Sequence, residues 1–130
     1  MLRGARLAIG SPSRKVDWIY VDDVVAGLLA VGTRPGLEGK SIDLGSGQLV
    51  EIREIVGRIR ALVNDGSEIE FAAGAARPFE QVRCAEVDAA HALTGWRPAV
   101  SLDTGLARTV DFYKRQFSSG EPSARCTPAL

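Results

Sequence analysis

Residues 41–56 read SIDLGSGQLVEIREIV. A short apolar run, Ile42 and Leu44, meets the turn Gly45-Ser46-Gly47. Beyond it Ile52, Ile55, Val56, Ile59, Leu62 and Val63 recur at helical spacing, with Arg53, Glu54, Arg58 and Arg60 on the opposite face. Strand, glycine turn and helix in that order form an α/β unit, and also the layout of a phosphate-binding loop. A dinucleotide fingerprint needs a third glycine, G-x-G-x-x-G, where this chain has Val50. Several residues also separate the turn from the helix, so the helix N-terminus is not aimed at a bound phosphate. The better reading is a plain strand-to-helix turn.

The pattern repeats outward from this stretch. Leu7-Ala8-Ile9 reads as a short strand, ended by Gly10-Ser11-Pro12-Ser13. Residues 16–21 are rich in strand formers. Asp22 or Asp23 then offers a helix N-cap, and Val24, Val25, Leu28 and Leu29 form one apolar face of a helix running to about Val31. A strand is expected over residues 40–44 and another over residues 68–71, where Glu68-Ile69-Glu70-Phe71 alternates. Asn64-Asp65-Gly66 stops the intervening helix, and residues 72–78 form a loop. Asp88 is expected to cap a short helix closed by Gly95, and Ser101 to cap a last helix carrying Leu102, Leu106, Val110, Tyr113 and Phe117. Residues 118–130 are too polar and broken to pack and read as a disordered tail. Alternating strands and helices give an α/β fold. The strands are few and short for a free-standing doubly wound sheet, so the helix after Asp22 and the strand ending at Leu44 should lie against something larger.

Composition removes several functions. Lys and Arg number 16 against 16 Asp and Glu, so no basic surplus points to nucleic acid. Hydrophobic residues make up 45%, enough for a core, but no run is long enough to cross a membrane. Cys84 and Cys126 match no metal-ligand spacing. Two reduced thiols and no signal-peptide core make a cytoplasmic protein the expectation.

Candidate chemistry is sparse. His91 is the one histidine and has no nucleophile or orienting acid in a recognisable motif, so it reads as a surface residue. Tyr20 leads three residues on to Asp23 and Tyr113 to Gln116, so neither has an activating lysine there; packing is the expectation for both. Asp22 and Asp23 lack a second ligand cluster, and capping is preferred to a metal pair. No catalytic and no metal-binding residue is assigned. Arg14-Lys15, with Trp18 nearby, and Arg77, beside Pro78-Phe79, are loop cations near aromatic or proline residues. Such cations suit a diphosphate next to a flat base, or are simply solvated loop charges.

Four segments in order then show a resemblance. KVDWIYVDDVV (15–25) resembles the R-D-F-I-Y-V-D-D-V segment of the extended short-chain dehydrogenase/reductases, the NAD-dependent epimerase/dehydratase family. SIDLGSGQLVEIREIV resembles its F-N-I-G-S-G-x-x-x-S-I-x-E-L, and Arg77-Pro78-Phe79-Glu80 its R-P-G-D. EVDAAHALTGWRPAVSLDTGLARTVDFYK (86–114) resembles its A-D-x-S-K-A-x-x-x-L-G-W-x-P-x-x-x-L-x-x-G-L-x-x-T-x-x-W-Y.

The resemblance implies an α/β C-terminal, substrate-binding portion over residues 1–117, with a helix and strand that normally complete the family's Rossmann sheet. The upstream G-x-x-G-x-x-G loop and Y-x-x-x-K pair do not occur here. NAD or NADP is therefore expected in the parent enzyme and not on this chain alone, which is expected to be catalytically incomplete. The implied ligand is a nucleotide-diphosphate sugar, with a homodimer as an open option. Arg77 matches the arginine that grips the diphosphate and Glu80 the acid three places on. The family's other phosphate arginine falls at Val16, so Lys15 or Arg14 would have to substitute. The alternative is a stand-alone, non-catalytic nucleotide-binding or protein-interaction module; a complete enzyme of another kind has no nucleophile–base pair to support it.

Overall fold

The computed structural model describes residues 7–64, 66, 68–72 and 81–119. Strand β1 (Leu7–Gly10) pairs in parallel with β4 (Ile69–Ala72), Leu7 opposite Ile69. Strand β2 (Lys15–Asp17) pairs antiparallel with β3 (Leu49–Glu51), placing Val16 opposite Val50. The helices are α1 (Val21–Thr33), α2 (Ile52–Val63), α3 (Val87–Thr94) and α4 (Leu102–Ser118). The α/β class stands, but the strands form two separate two-stranded ladders.

Local signals fixed several helix ends. Asn64 takes the left-handed conformation (φ 52°) and returns its N–H to Arg60 O, closing α2. Gly95 (φ 77°) closes α3 in the same way. The Ser101 hydroxyl accepts the Thr104 N–H at 3.3 Å, which caps α4. That helix runs one residue past Phe117, to Ser118.

Elsewhere tertiary partners override the local reading. The strand expected over residues 40–44 does not form: a ladder needs a neighbour, and none pairs with this segment among the described residues. Of residues 16–21, only those up to Asp17 lie in a ladder; Val21 already begins α1. Tyr20, not an aspartate, is the α1 N-cap residue, and Asp22 and Asp23 fall in the first turn. Likewise α3 starts at Val87 after Glu86, ahead of Asp88, with no side-chain cap. α1 also runs past Val31 to Thr33.

The core gathers Ile55 and Val56 of α2, Val110 of α4, Ala90 of α3 and Trp96 just beyond it. Helix α3 therefore buries one face, although its His91 is exposed as expected. α2 lies against α4. At its exposed edge Arg58 pairs with both Glu54 and Asp103, and Lys114 Nζ donates to Leu62 O at 2.9 Å. α1 meets this body through glycine: a Cβ on Gly27 would stand 2.9 Å from both Leu44 methyls and 3.1 Å from the Trp96 ring. The apolar stripe of α1 points away from it. Val21, Leu28 and Leu29 are about 60% exposed, and Val25 is exposed beside them.

Candidate functional site

The site is built on Asp17, the last residue of β2. Its Oδ1 accepts from Ser46 N (2.7 Å) and Ser46 Oγ (2.6 Å). Its Oδ2 accepts from Gly47 N (3.1 Å) and Ala85 N (2.9 Å). One carboxylate thus ties β2, the glycine turn and the segment leading into α3. Burial works against its charge, but the Ser46 hydroxyl and the Ala85, Ser46 and Gly47 amides outweigh burial and hold its pKa below the ordinary 3.8. The glycine turn does bind an anion with consecutive backbone N–H groups, and that anion is the chain's own side chain. Gly45 has to be glycine: a Cβ there would lie 2.6 Å from both the Ala85 Cβ and Asp17 Oδ2.

These latched segments wall a cavity of about 370 Å³. Three segments line it: Arg14 to Asp17, Asp43 to Gly45, and Gln81 to Ala85. The turn before β2 is fixed as well: Arg14 N donates to Ser11 O, while Pro12 O and Arg14 O accept from Arg53 N and Ile52 N at the start of α2. Of the expected site residues, the structure brings Arg14 and Lys15 together at this cavity, while Arg77 and Glu80 lie outside the described residues. Arg83 also lines the wall and was missed in the sequence reading. Its polar-loop context carries no local signal, and only the fold of residues 81–85 onto Asp17 places it there. Trp18 does not join this cavity. Its indole N–H reaches Val50 O at 3.3 Å, and the ring borders a second hollow of about 290 Å³ with Ser46, Gln48 and Pro98.

A second carboxylate organises the scaffold. Asp23 is 5% exposed and accepts from Ala99 N (3.0 Å) and Val100 N (2.9 Å), fastening α1 to the loop before α4. Tyr20 packs its ring on Gly105 and under the Arg108 guanidinium. Tyr113 lies in an exposed row of rings with Phe112 and Phe117 on α4. Among the described residues no group of three or more His, Cys, Asp or Glu is placed to hold a metal. None of the described helices is long and apolar enough to cross a membrane.

An α/β body with a cavity lined by Arg14, Lys15 and Arg83 together with Asp17 and Asp43, and with an apolar helix face left open, is the class of structure these observations define. No family model matches the chain. UDP-glucuronic acid decarboxylase 1 of Xenopus tropicalis is 31% identical over 116 residues, covering 88% of this chain and 27% of that protein. An epimerase of Methanothermobacter thermautotrophicus superposes with a TM-score of 0.81 at 28% identity, over 91% of this chain and 35% of its own. The UDP-glucuronic acid 4-epimerase of Bacillus cereus, solved with UDP-glucuronic acid and NAD, gives 0.77 at 25% identity, over 88% and 37%. The chain belongs to the extended short-chain dehydrogenase/reductases of the NAD-dependent epimerase/dehydratase kind. It spans about a quarter to two fifths of the length of these relatives, the portion that the sequence resemblance assigns to the family's C-terminal side.

Proposed function

We propose that this chain forms the nucleotide-sugar-binding wall of an NAD(P)-dependent NDP-sugar epimerase or dehydratase. The observation that carries the reading is the cavity, where Arg14 and Lys15 belong to a lining whose segments Asp17 ties together. Local cations in a chain of zero net charge are what an anionic ligand requires. Arg77 and Glu80 belong to the same proposal on the sequence resemblance. NAD or NADP supplies hydride transfer in such enzymes. Here the G-x-x-G-x-x-G loop and Y-x-x-x-K pair are absent from the sequence, so the redox step is assigned to residues outside this chain, which alone is catalytically incomplete. This chain's part is to bind and orient the sugar nucleotide.

Isothermal titration of UDP- and TDP-glucose into the full polypeptide carrying these residues tests the assignment, with wild type set against Arg77→Ala. A charge-assisted phosphate contact is worth about 1.5–3 kcal/mol, so its loss should weaken binding by roughly 10- to 100-fold. Equal affinities would remove Arg77 from the site. One observation favours a second reading, a non-catalytic interaction module or homodimer: the exposed stripe Val21, Val25, Leu28 and Leu29 on α1. A well-defined monomer or dimer with protected amides on sizing and hydrogen exchange would support that reading.

A further inference from the structure

The described lining of the cavity is close to electrical balance. Three cations, Arg14, Lys15 and Arg83, stand against two carboxylates, Asp17 and Asp43, leaving one positive charge in excess. Arg77 and Glu80, which the reading above adds, bring one charge of each sign and leave that excess unchanged. A nucleoside diphosphate joined to a neutral sugar already carries two negative charges. A sugar with its own carboxylate brings a third.

The two aspartates do not weigh equally on such a ligand. Each oxygen of Asp17 already accepts two hydrogen bonds within the latch. Asp43 makes no ion pair and no side-chain hydrogen bond among the described residues, and it is exposed at the cavity. Its backbone is anchored all the same, because the Ser46 and Gly47 amides a few residues on donate to Asp17. A sphere of 370 Å³ is about 9 Å across, comparable to the screening length of about 8–10 Å near physiological salt. A charge placed anywhere inside the cavity therefore feels Asp43. A carboxylate has only acceptors to offer: it takes the O–H of a sugar hydroxyl and repels a sugar carboxylate.

Resting on the nucleotide-sugar reading, we infer that Asp43 is a specificity-determining residue that sets this site against acidic sugars. The ligand class is a nucleoside diphosphate joined to a neutral hexose, and the matching uronic acid is disfavoured. The discrimination works through charge, because the two sugars differ only in carrying a carboxylate where the hexose has a hydroxymethyl group.

The test is titration of UDP-glucose and of UDP-glucuronic acid into the full polypeptide carrying these residues, as wild type, Asp43→Asn and Asp43→Lys. Wild type should favour UDP-glucose by about 10-fold at low salt, and the preference should shrink as salt is raised. Asp43→Asn, which keeps the shape and removes the charge, should cut the preference by about 3-fold or more, and Asp43→Lys should abolish or invert it. The melting temperature of Asp43→Asn should match wild type, since the carboxylate holds no described residue. Wild-type binding of UDP-glucuronic acid as tight as that of UDP-glucose, or a preference unchanged in Asp43→Asn, would overturn the inference while leaving the nucleotide-sugar reading in place. Binding of neither ligand by wild type would overturn that reading, and the inference with it.

Discussion

Asp17 and Asp23 flank the start of α1 and do the same chemical job with different consequences. Each carboxylate accepts backbone N–H groups from segments distant in sequence. Asp17 is half-buried and ties together the walls of a cavity. Asp23 is buried and ties a helix to the scaffold. The difference lies in what water can replace. Around Asp17 solvent can partly satisfy freed donors, so its loss should loosen the cavity more than the fold. Around Asp23 it cannot, so its loss should be felt as stability.

Three experiments break or sharpen that comparison. Asp23→Ala leaves the Ala99 and Val100 N–H groups without their acceptor and should cost about 3 kcal/mol, read from the midpoint of urea unfolding. A change below 1 kcal/mol would mean that the loop before α4 finds its own partners. Asp17→Asn should cost only about 1 kcal/mol, because solvent screens the site, yet should speed hydrogen exchange at Ser46, Gly47 and Ala85. Its pH dependence has a definite sign. The folded-state pKa lies below the unfolded value near 3.8, so the stabilisation is complete above that value and is lost as pH falls through the lower, folded-state value. Wild type and Asp17→Asn should therefore differ in unfolding free energy at neutral pH and converge in strong acid. Smallest of all, Leu28→Gln on the exposed stripe should change the stability of the 130 residues by less than about 0.5 kcal/mol. A larger loss would show that a second copy or another body covers α1.

The α1 region also shows what an apolar pattern leaves open. The spacing of Val25, Leu28 and Leu29 was read as an apolar face, and it is one, but in this structure it faces outward while Gly27 makes the close approach to Leu44 and Trp96. The Trp96 indole N–H is buried there without a hydrogen-bond partner among the described residues. Periodicity reports that a helix has an apolar side; it does not report what covers it. The missing strand at residues 40–44 has the same origin, since a ladder is a property of two segments.

At the site, Arg14 and Lys15 were legible because they lie next to strand-forming residues in a segment that resembles a family motif. Arg83 was not, because neither its spacing nor its neighbours distinguish it from a solvated loop charge. That the amide nest of the glycine turn holds an internal carboxylate was out of reach of the sequence.

By itself the sequence determined the helices, several of their ends and the family. Those depend on side chains three or four residues apart and on ordered motifs, and both can be read along a line. Only the tertiary structure decided what Asp17 and Asp23 hold and that Arg83 lines the cavity. The bonds that define the two aspartates span 29, 68 and 76 residues, and Arg83 reaches the cavity only through the longest of those at Asp17. Which distant amide meets a given carboxylate is set by how the whole chain packs, because the hydrogen bond forms only after the backbone that carries the donor has been put in place.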